Sequence, residues 1–205
     1  TTGWSIPFIM GMTAIIVLAA GNSTRLGEPK QLLPYNNKTL LQHILDEAKK
    51  ANLDPVICIT GFESDRITET ISDSGITIVY NKQWPEGMGP GISAGIKQLL
   101  DSDADSVILA VSDQPYVSSD MFRTMVSLKD QSKKGNVASS YAGTLGTPVL
   151  FTKDYFNRLM ALNRKEGAKS IVKANKLDVC PVEFEKGIVD IDAKPDYENL
   201  ISEIN

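Results

Sequence analysis

Between Leu18 and Lys30 the chain reads LAAGNSTRLGEPK, a run whose residue types suit the handling of a phosphorylated ligand. Ala19, Ala20 and Gly21 carry little or no side chain, so a ligand can approach the backbone closely there. Successive amide N–H groups in such a turn form a concavity that binds anions. Arg25 and Lys30 add two cations within reach of the same phosphates, one a planar fork and the other a compact point charge. The run is not a G-x-x-x-x-G-K-[ST] loop, because Gly27 is followed by Glu28, Pro29 and Lys30, and it contains no G-x-G-x-x-G. A plain Gly-rich surface turn with solvated charges would leave the meeting of small residues and spaced cations unexplained.

Three further stretches carry chemistry. Ser112-Asp113-Gln114-Pro115 closes the apolar run Val107–Val111, and a carboxylate in that position suits Mg²⁺, which takes one or two carboxylates with substrate phosphates and waters. In Gly187–Asp192 (GIVDID) the alternation predicts a strand with Asp190 and Asp192 on one face, where two like charges favour a cation. The bland alternative is a solvated strand end. Glu86–Gly95 (EGMGPGISAG) leads into a helix; its backbone around Gly89 and Ser93 could wrap a base or sugar, against a plain flexible loop.

His43 is the only histidine and sits in an amphipathic helical pattern, which predicts a structural role and excludes a two-histidine metal site. Trp84 and Phe62 could stack on a base, with ordinary packing as the stronger expectation. Cys58 and Cys180 lie far apart inside apolar runs and read as core thiols. They show neither metal-ligand spacing nor a disulfide framework, so a reducing, cytoplasmic setting is expected.

The elements that must hold these residues alternate between strand-like and helix-like patterns, which predicts βαβ units. Ala14–Ala19 is a continuous apolar run, as expected of a central strand buried on both faces. Thr39 caps a helix with Leu40, Leu41, Ile44, Leu45 and Ala48 on its apolar face. Strands are predicted at 56–60, 76–80, 107–111, 137–141 and 148–151. Helices are predicted at 64–72, 91–100, from Ser118 or Ser119 with Met121, Phe122, Met125 and Val126 inward, at 154–162 and at 195–204. If strands of an open α/β sheet run parallel, the first loop and Asp113 share the rim beyond their carboxyl ends.

With 205 residues and 42% hydrophobic content, one α/β domain over 12–205 is expected. A net charge of −4 disfavours a nucleic-acid backbone as partner. Residues 1–11 lack a basic flank and are too short for a membrane span, so they read as an appended remnant or upstream extension. No other segment approaches membrane-spanning length, and no membrane partner is expected.

Taken together, LAAGNSTRLGEPKQLLP, GMGPGISAGI, SDQP, GTPVLF and DIDAKPDYENL resemble the nucleotidyltransferases of molybdenum-cofactor biosynthesis, and most of all the molybdenum cofactor cytidylyltransferases. The resemblance covers nearly the whole chain from Met12 in the right motif order. It implies a Rossmann-like three-layer α/β/α nucleotidyltransferase fold with a mostly parallel central sheet. The backbone at Leu18, Ala19, Ala20 and Gly21, with Gly89, Ser93 and Ser112, would hold the nucleoside, while Arg25 and Lys30 hold the triphosphate. Asp113 would bind Mg²⁺, helped by Asp190 or Asp192, and Gln114, Gly146, Thr147 and Pro148 would face the acceptor.

Similar guanylyltransferases read Leu-Ala-Gly-Gly at the first loop; Ala20 in the third position points to CTP. Two departures fall on the acceptor side. Arg164–Lys169 (RKEGAK) stands where the family shows Gly-Asp-x-Gly-Ala-Arg, and Thr147 replaces a bulkier polar residue. The implied partners are CTP, a phosphorylated small-molecule acceptor, and a client molybdoenzyme or its chaperone. Transfer to a sugar or polyol phosphate, and a non-catalytic nucleotide- or cofactor-binding maturation protein, remain the competing readings.

Overall fold

In the computed structural model, which describes residues 11–71, 73 and 75–204, the centre is β1 (Met12–Ala19). Its run of Ala14, Ile15, Ile16 and Val17 is fully buried. Side chains repeat every second residue along a strand, so β1 feeds two cores. Ile15 and Val17 pack with Ile44, Leu45, Phe122 and Met125 on one face. Ile16 packs with Ile92, Ile96 and Phe151 on the other.

The elements follow as β2 (Pro34–Tyr35), β3 (Lys38–Thr39), α1 (Leu40–Lys50), β4 (Val56–Thr60), α2 (Ser64–Glu69) and β5 (Ile76–Tyr80). Next come α3 (Met88–Lys97), β6 (Ala104–Val111), α4 (Ser119–Ser132), β7 (Asn136–Tyr141) and β8 (Thr144–Thr152). The chain closes with α5 (Phe156–Met160), α6 (Ala168–Ala174), β9 (Val179–Glu183) and α7 (Lys194–Ile204). Seven strands form one sheet in the order β5-β4-β1-β6-β8-β7-β9, and β2 pairs with β3 in a small hairpin. Every pairing in the large sheet is parallel except those of β8, which runs antiparallel to β6 and β7. Buried residues of α1, α2 and α4 share one core and those of α3, α5 and α6 the other, which makes the three layers. No helix among the described residues is long and apolar enough to cross a membrane.

Local chemistry explains the helix starts. The Thr39 hydroxyl accepts from Gln42 N at 3.0 Å and the Ser118 hydroxyl from Met121 N at 3.3 Å, each satisfying a first-turn amide. In α4, Phe122 and Met125 are fully buried while Met121 and Val126 are partly so. Helix α3 begins at Met88, three residues before the expected Gly91, because Pro90 lies in the first turn, where its missing N–H costs nothing.

Other differences from the sequence reading have physical causes. Residues 154–162 form a 3₁₀ turn (Lys153–Tyr155) followed by the short α5. The unanticipated β9 carries Pro181, which a sheet tolerates only at its margin, and β9 is indeed an edge strand. Residues 187–192 are not a strand: Glu185–Ile188 is a 3₁₀ turn and the rest is irregular. Ile191 is nevertheless fully buried, and its N–H donates to Asp113 O at 3.0 Å. The Asp196 carboxylate takes the N–H groups of Asp192 and Ala193, which draws this segment into the start of α7. Of the two thiols, Cys58 is buried and Cys180 only partly so. The expected extension at 1–11 lies almost wholly outside the described residues, as does Ser72 of the expected 64–72 helix.

Candidate active site

The parallel strands β1, β4, β5 and β6 end together at Ala19, Thr60, Tyr80 and Val111, so the loops after them share one rim. Because β8 runs the other way, its beginning, Thr144–Thr147, arrives at that rim. The first loop is braced by Gln31, 1% exposed, whose Nε2 donates to Ala19 O at 2.9 Å and to Gly21 O at 3.0 Å. The Ser23 hydroxyl accepts from Lys30 N at 3.1 Å. Ser23 has a positive φ of 49°, and Gly27 one of 84°, so the turn bends sharply enough to bring Lys30 back over the strand end.

A cleft of about 230 Å³ opens there, lined among others by Leu18, Ala20, Gly21, Lys30, Ser112 and Asp113. A Cβ on Gly21 would meet nothing within 4 Å, so its bare face is turned to open space. Two lining residues were not singled out from sequence, Gln31 and Asn81. Gln31 Oε1 and Asn81 Nδ2 are buried without a hydrogen-bond partner, one an acceptor and the other a donor. An unmatched polar atom buried beside a cleft is costly unless something enters to pair with it. Only tertiary structure reveals them, since Gln and Asn at those positions carry no spacing signal. Trp84 also lines the cleft and meets Phe62 edge to face at 5.6 Å. A Cβ on Gly61 would fall 2.6 Å from that of Trp84, so the glycine lets the indole seat.

A second cleft, about 310 Å³, is lined among others by Asp113, Gln114, Tyr141, Thr147, Gly187 and Asp190. Gln114, 5% exposed, ties its walls together: Nε2 donates to Thr147 O at 3.1 Å and Gly187 O at 3.0 Å. Tyr141, another residue the sequence did not flag, lies over two glycines. A Cβ on Gly146 would fall 2.1 Å from its Oη, and one on Gly187 2.6 Å from its Cδ1. Burial, with help from the Asp190 and Asp113 charges, pushes the Tyr141 phenol up. Val111 and Asp113 line both clefts and form the wall between them.

Charge concentrates at that wall. Lys30 Nζ lies 2.5 Å from Asp113 Oδ2 and 3.0 Å from Asp192 Oδ1, and Arg25 Nη2 lies 2.8 Å from Asp192 Oδ2. Burial alone would lower the Lys30 ammonium pKa, but the Asp113 and Asp192 carboxylates outweigh it and hold it above its ordinary value. The Lys30 hydrogen bond holds Asp192 below the usual carboxylate range. Asp190 is pushed up by burial and by the Asp192 and Asp113 charges, which places it in the same field. Asp113 Oδ1 is buried and accepts no hydrogen bond. Among the described residues, no three His, Cys, Asp or Glu side chains are disposed to hold a metal.

The structure therefore brings Leu18, Ala20, Gly21, Arg25, Lys30, Ser112, Asp113 and Asp192 around one cleft mouth, with Gln114, Thr147 and Asp190 beside it. Five expected residues lie elsewhere, one of them Gly146, which is buried beneath Tyr141 and lines neither cleft. Ala19 is buried in the core and contributes its carbonyl to Gln31. Gly89 packs on the 162–164 turn, where a Cβ would fall 2.2 Å from Asn163 O. Ser93 lines a separate groove with Lys82 and Lys97. Pro148 is buried in β8, its carbonyl accepting from the Ser139 hydroxyl at 2.6 Å. His43 lines neither cleft; its Nε2 meets Val117 O at 3.2 Å and its ring packs edge-on against Tyr35.

A mostly parallel sheet with a Gly-rich loop, two cations and a strand-end carboxylate at one rim is the place where an open α/β fold binds a phosphorylated ligand. The chain belongs to the MobA-like NTP transferase domain family, whose model matches residues 15–179. It is 27% identical over 203 residues to the purine catabolism protein PucB of Bacillus subtilis, covering 94% of this chain and 95% of that one. It is 28% identical over 192 residues to the molybdenum cofactor cytidylyltransferase of Escherichia coli, covering 91% and 95%. Among solved structures, Rv0371c of Mycobacterium tuberculosis superposes with a TM-score of 0.83 at 27% identity, covering 94% of this chain and 99% of its own. A manganese complex of Rv0371c superposes at 0.76 with 24% identity, covering 93% and 98%, a likeness that carries the fold.

Proposed function

We propose that this protein transfers CMP from CTP to a phosphorylated small-molecule acceptor, molybdopterin or molybdenum cofactor, and releases pyrophosphate. The observation that carries the reading is the shared wall: two clefts meet at Val111 and Asp113, one suited to the nucleotide and one to the acceptor. An acceptor phosphate oxygen bonds to the α-phosphorus of CTP as the bond from that phosphorus to the bridging oxygen breaks. The electron pair leaves with pyrophosphate. A phosphate monoester has its second pKa near about 6, so roughly nine-tenths is dianionic at pH 7 and no side chain need take a proton. That suits a site whose only histidine in the sequence, His43, lines neither cleft.

The chain's own contribution is positioning and charge neutralisation. Lys30 and Arg25 hold the triphosphate, Leu18, Ala20, Gly21 and Asn81 hold the nucleoside, and Gln114 fixes the acceptor cleft. The donor set fits Mg²⁺: Asp113 has one buried oxygen without a partner, and Asp192 and Asp190 stand nearby. When bound, Mg²⁺ would supply Lewis-acid charge stabilisation at the phosphates. The choice of CTP is supported by Ala20 and by the Escherichia coli cytidylyltransferase among the relatives.

The test is pyrophosphate release with Mg²⁺ and each of CTP, GTP, UTP and ATP, using molybdenum cofactor as acceptor. Acceptor-dependent release favouring CTP is expected. Turnover only with sugar or polyol phosphates would reassign the acceptor, and tight nucleotide binding without release would make the protein a carrier.

A further inference from the structure

Lys30 stands among the carboxylates that suit the metal. Its ammonium contacts Asp113 Oδ2 and Asp192 Oδ1, while Arg25 takes the other oxygen of Asp192. The Lys30 and Asp113 side chains are 16% and 15% exposed, so neither charge is freely replaced by water. We propose that Lys30 is a built-in competitor for the divalent cation, so that metal and nucleoside triphosphate bind as a coupled pair through an exchange of ionic partners. This rests on the nucleotidyl-transfer reading and says how its site fills.

A metal ion arriving alone must displace the ammonium, leaving a half-buried cation without its partners, or sit beside it against like-charge repulsion. A triphosphate arriving alone must draw Lys30 and Arg25 from their carboxylates and then face bare Asp113 and Asp192. Together the ligands satisfy both sets: phosphates take the ammonium and guanidinium, and the metal takes the freed oxygens. Asp113 Oδ1, the oxygen that Lys30 does not engage, is buried without a partner, so it too is left to the metal once the ligands enter. By linkage, the factor by which nucleotide tightens the metal equals the factor by which metal tightens the nucleotide.

The experiment measures Mn²⁺ binding by electron paramagnetic resonance, without nucleotide, in the wild type and in Lys30→Gln, Arg25→Gln and Asp113→Asn. Lys30→Gln is expected to bind Mn²⁺ alone at least about tenfold more tightly than wild type while binding CTP more weakly. Arg25→Gln, which frees only the more exposed Asp192, is expected to gain less. Unchanged or weaker Mn²⁺ affinity in a folded Lys30→Gln overturns the proposal. Should that variant not fold, wild-type Mn²⁺ affinity with and without a non-hydrolysable CTP analogue decides it, after correction for metal–nucleotide complexes in solution. A gain of tenfold or more supports coupling, and a smaller one overturns it. Asp113→Asn separates the two levels. Loss of Mn²⁺ binding there upholds the metal assignment even if Lys30→Gln fails to tighten, whereas unaffected binding removes the assignment itself.

Discussion

Lys30 and Asp113, 83 residues apart in sequence, meet at 2.5 Å on the wall between the two clefts. Lys30 comes from the turn after β1 and Asp113 from the end of β6, and β1 and β6 are neighbouring parallel strands. The contact therefore follows from strand order, which sets two loops side by side at one rim. On the proposed chemistry, Lys30→Ala or Asp113→Ala folds normally but loses at least 10²-fold in turnover, about 3 kcal/mol of transition-state stabilisation. Steady-state pyrophosphate release, with circular dichroism to verify folding, checks this. Near-wild-type turnover in either variant would remove the assigned roles.

Gly21 separates nucleotide binding from stability. Its added Cβ would meet no protein atom within 4 Å, and among the described glycines only Gly27, Gly87 and Gly143 have positive φ. Gly21→Ala is therefore expected to change stability by less than about 0.5 kcal/mol. Because Gly21 lines the first cleft, the new methyl stands where a ligand approaches the backbone, and CTP affinity should fall at least about tenfold. Thermal denaturation and calorimetric titration with CTP give the two readouts. Unchanged CTP affinity would place the nucleotide elsewhere.

Gln114 tests the second cleft independently. Gln114→Leu keeps the volume but leaves Thr147 O and Gly187 O without their shared donor. A cost of about 1–3 kcal/mol in urea unfolding is expected. The acceptor KM should rise while CTP affinity stays near wild type, since Gln114 lines only the second cleft. An equal loss of CTP affinity would contradict the division between the clefts.

Asp178 provides a pH-dependent stability prediction away from the site. Its carboxylate accepts from Gly135 N at 2.9 Å and from Tyr155 Oη at 2.7 Å. The Gly135 amide first, and the tyrosine hydroxyl second, hold its pKa below the ordinary 3.8. A depressed carboxylate pKa stabilises the fold fully above the unfolded value, and that contribution is lost as pH falls through the folded value. Asp178→Asn should therefore cost about 1 kcal/mol at neutral pH, a figure reduced for the solvent exposure of the carboxylate. Urea denaturation should show the gap constant above about pH 5 and closing below the ordinary carboxylate range. A gap that persists at acid pH would mean the charge is not what matters.

Much of this molecule was written locally. The unbroken apolar run at Ala14–Val17 could be satisfied only by burial on both faces, and Thr39 and Ser118 announced their helices because an N-cap is a short-range hydrogen bond. The first loop was equally legible, since small residues and cations recur within thirteen consecutive positions. What sequence spacing could not express is which distant groups meet. The Lys30–Asp113–Asp192 cluster, the brace from Gln31, the unpaired Asn81 Nδ2 and the Tyr141 wall all depend on strand order and loop path. Periodicity also misread residues 187–192: alternation was real at buried Ile191, yet capping by Asp196 turned the segment toward α7 instead of into the sheet. Local patterns fix elements because their causes are short-range; the site was decided by packing, which alone sets the distance between charges far apart in the chain.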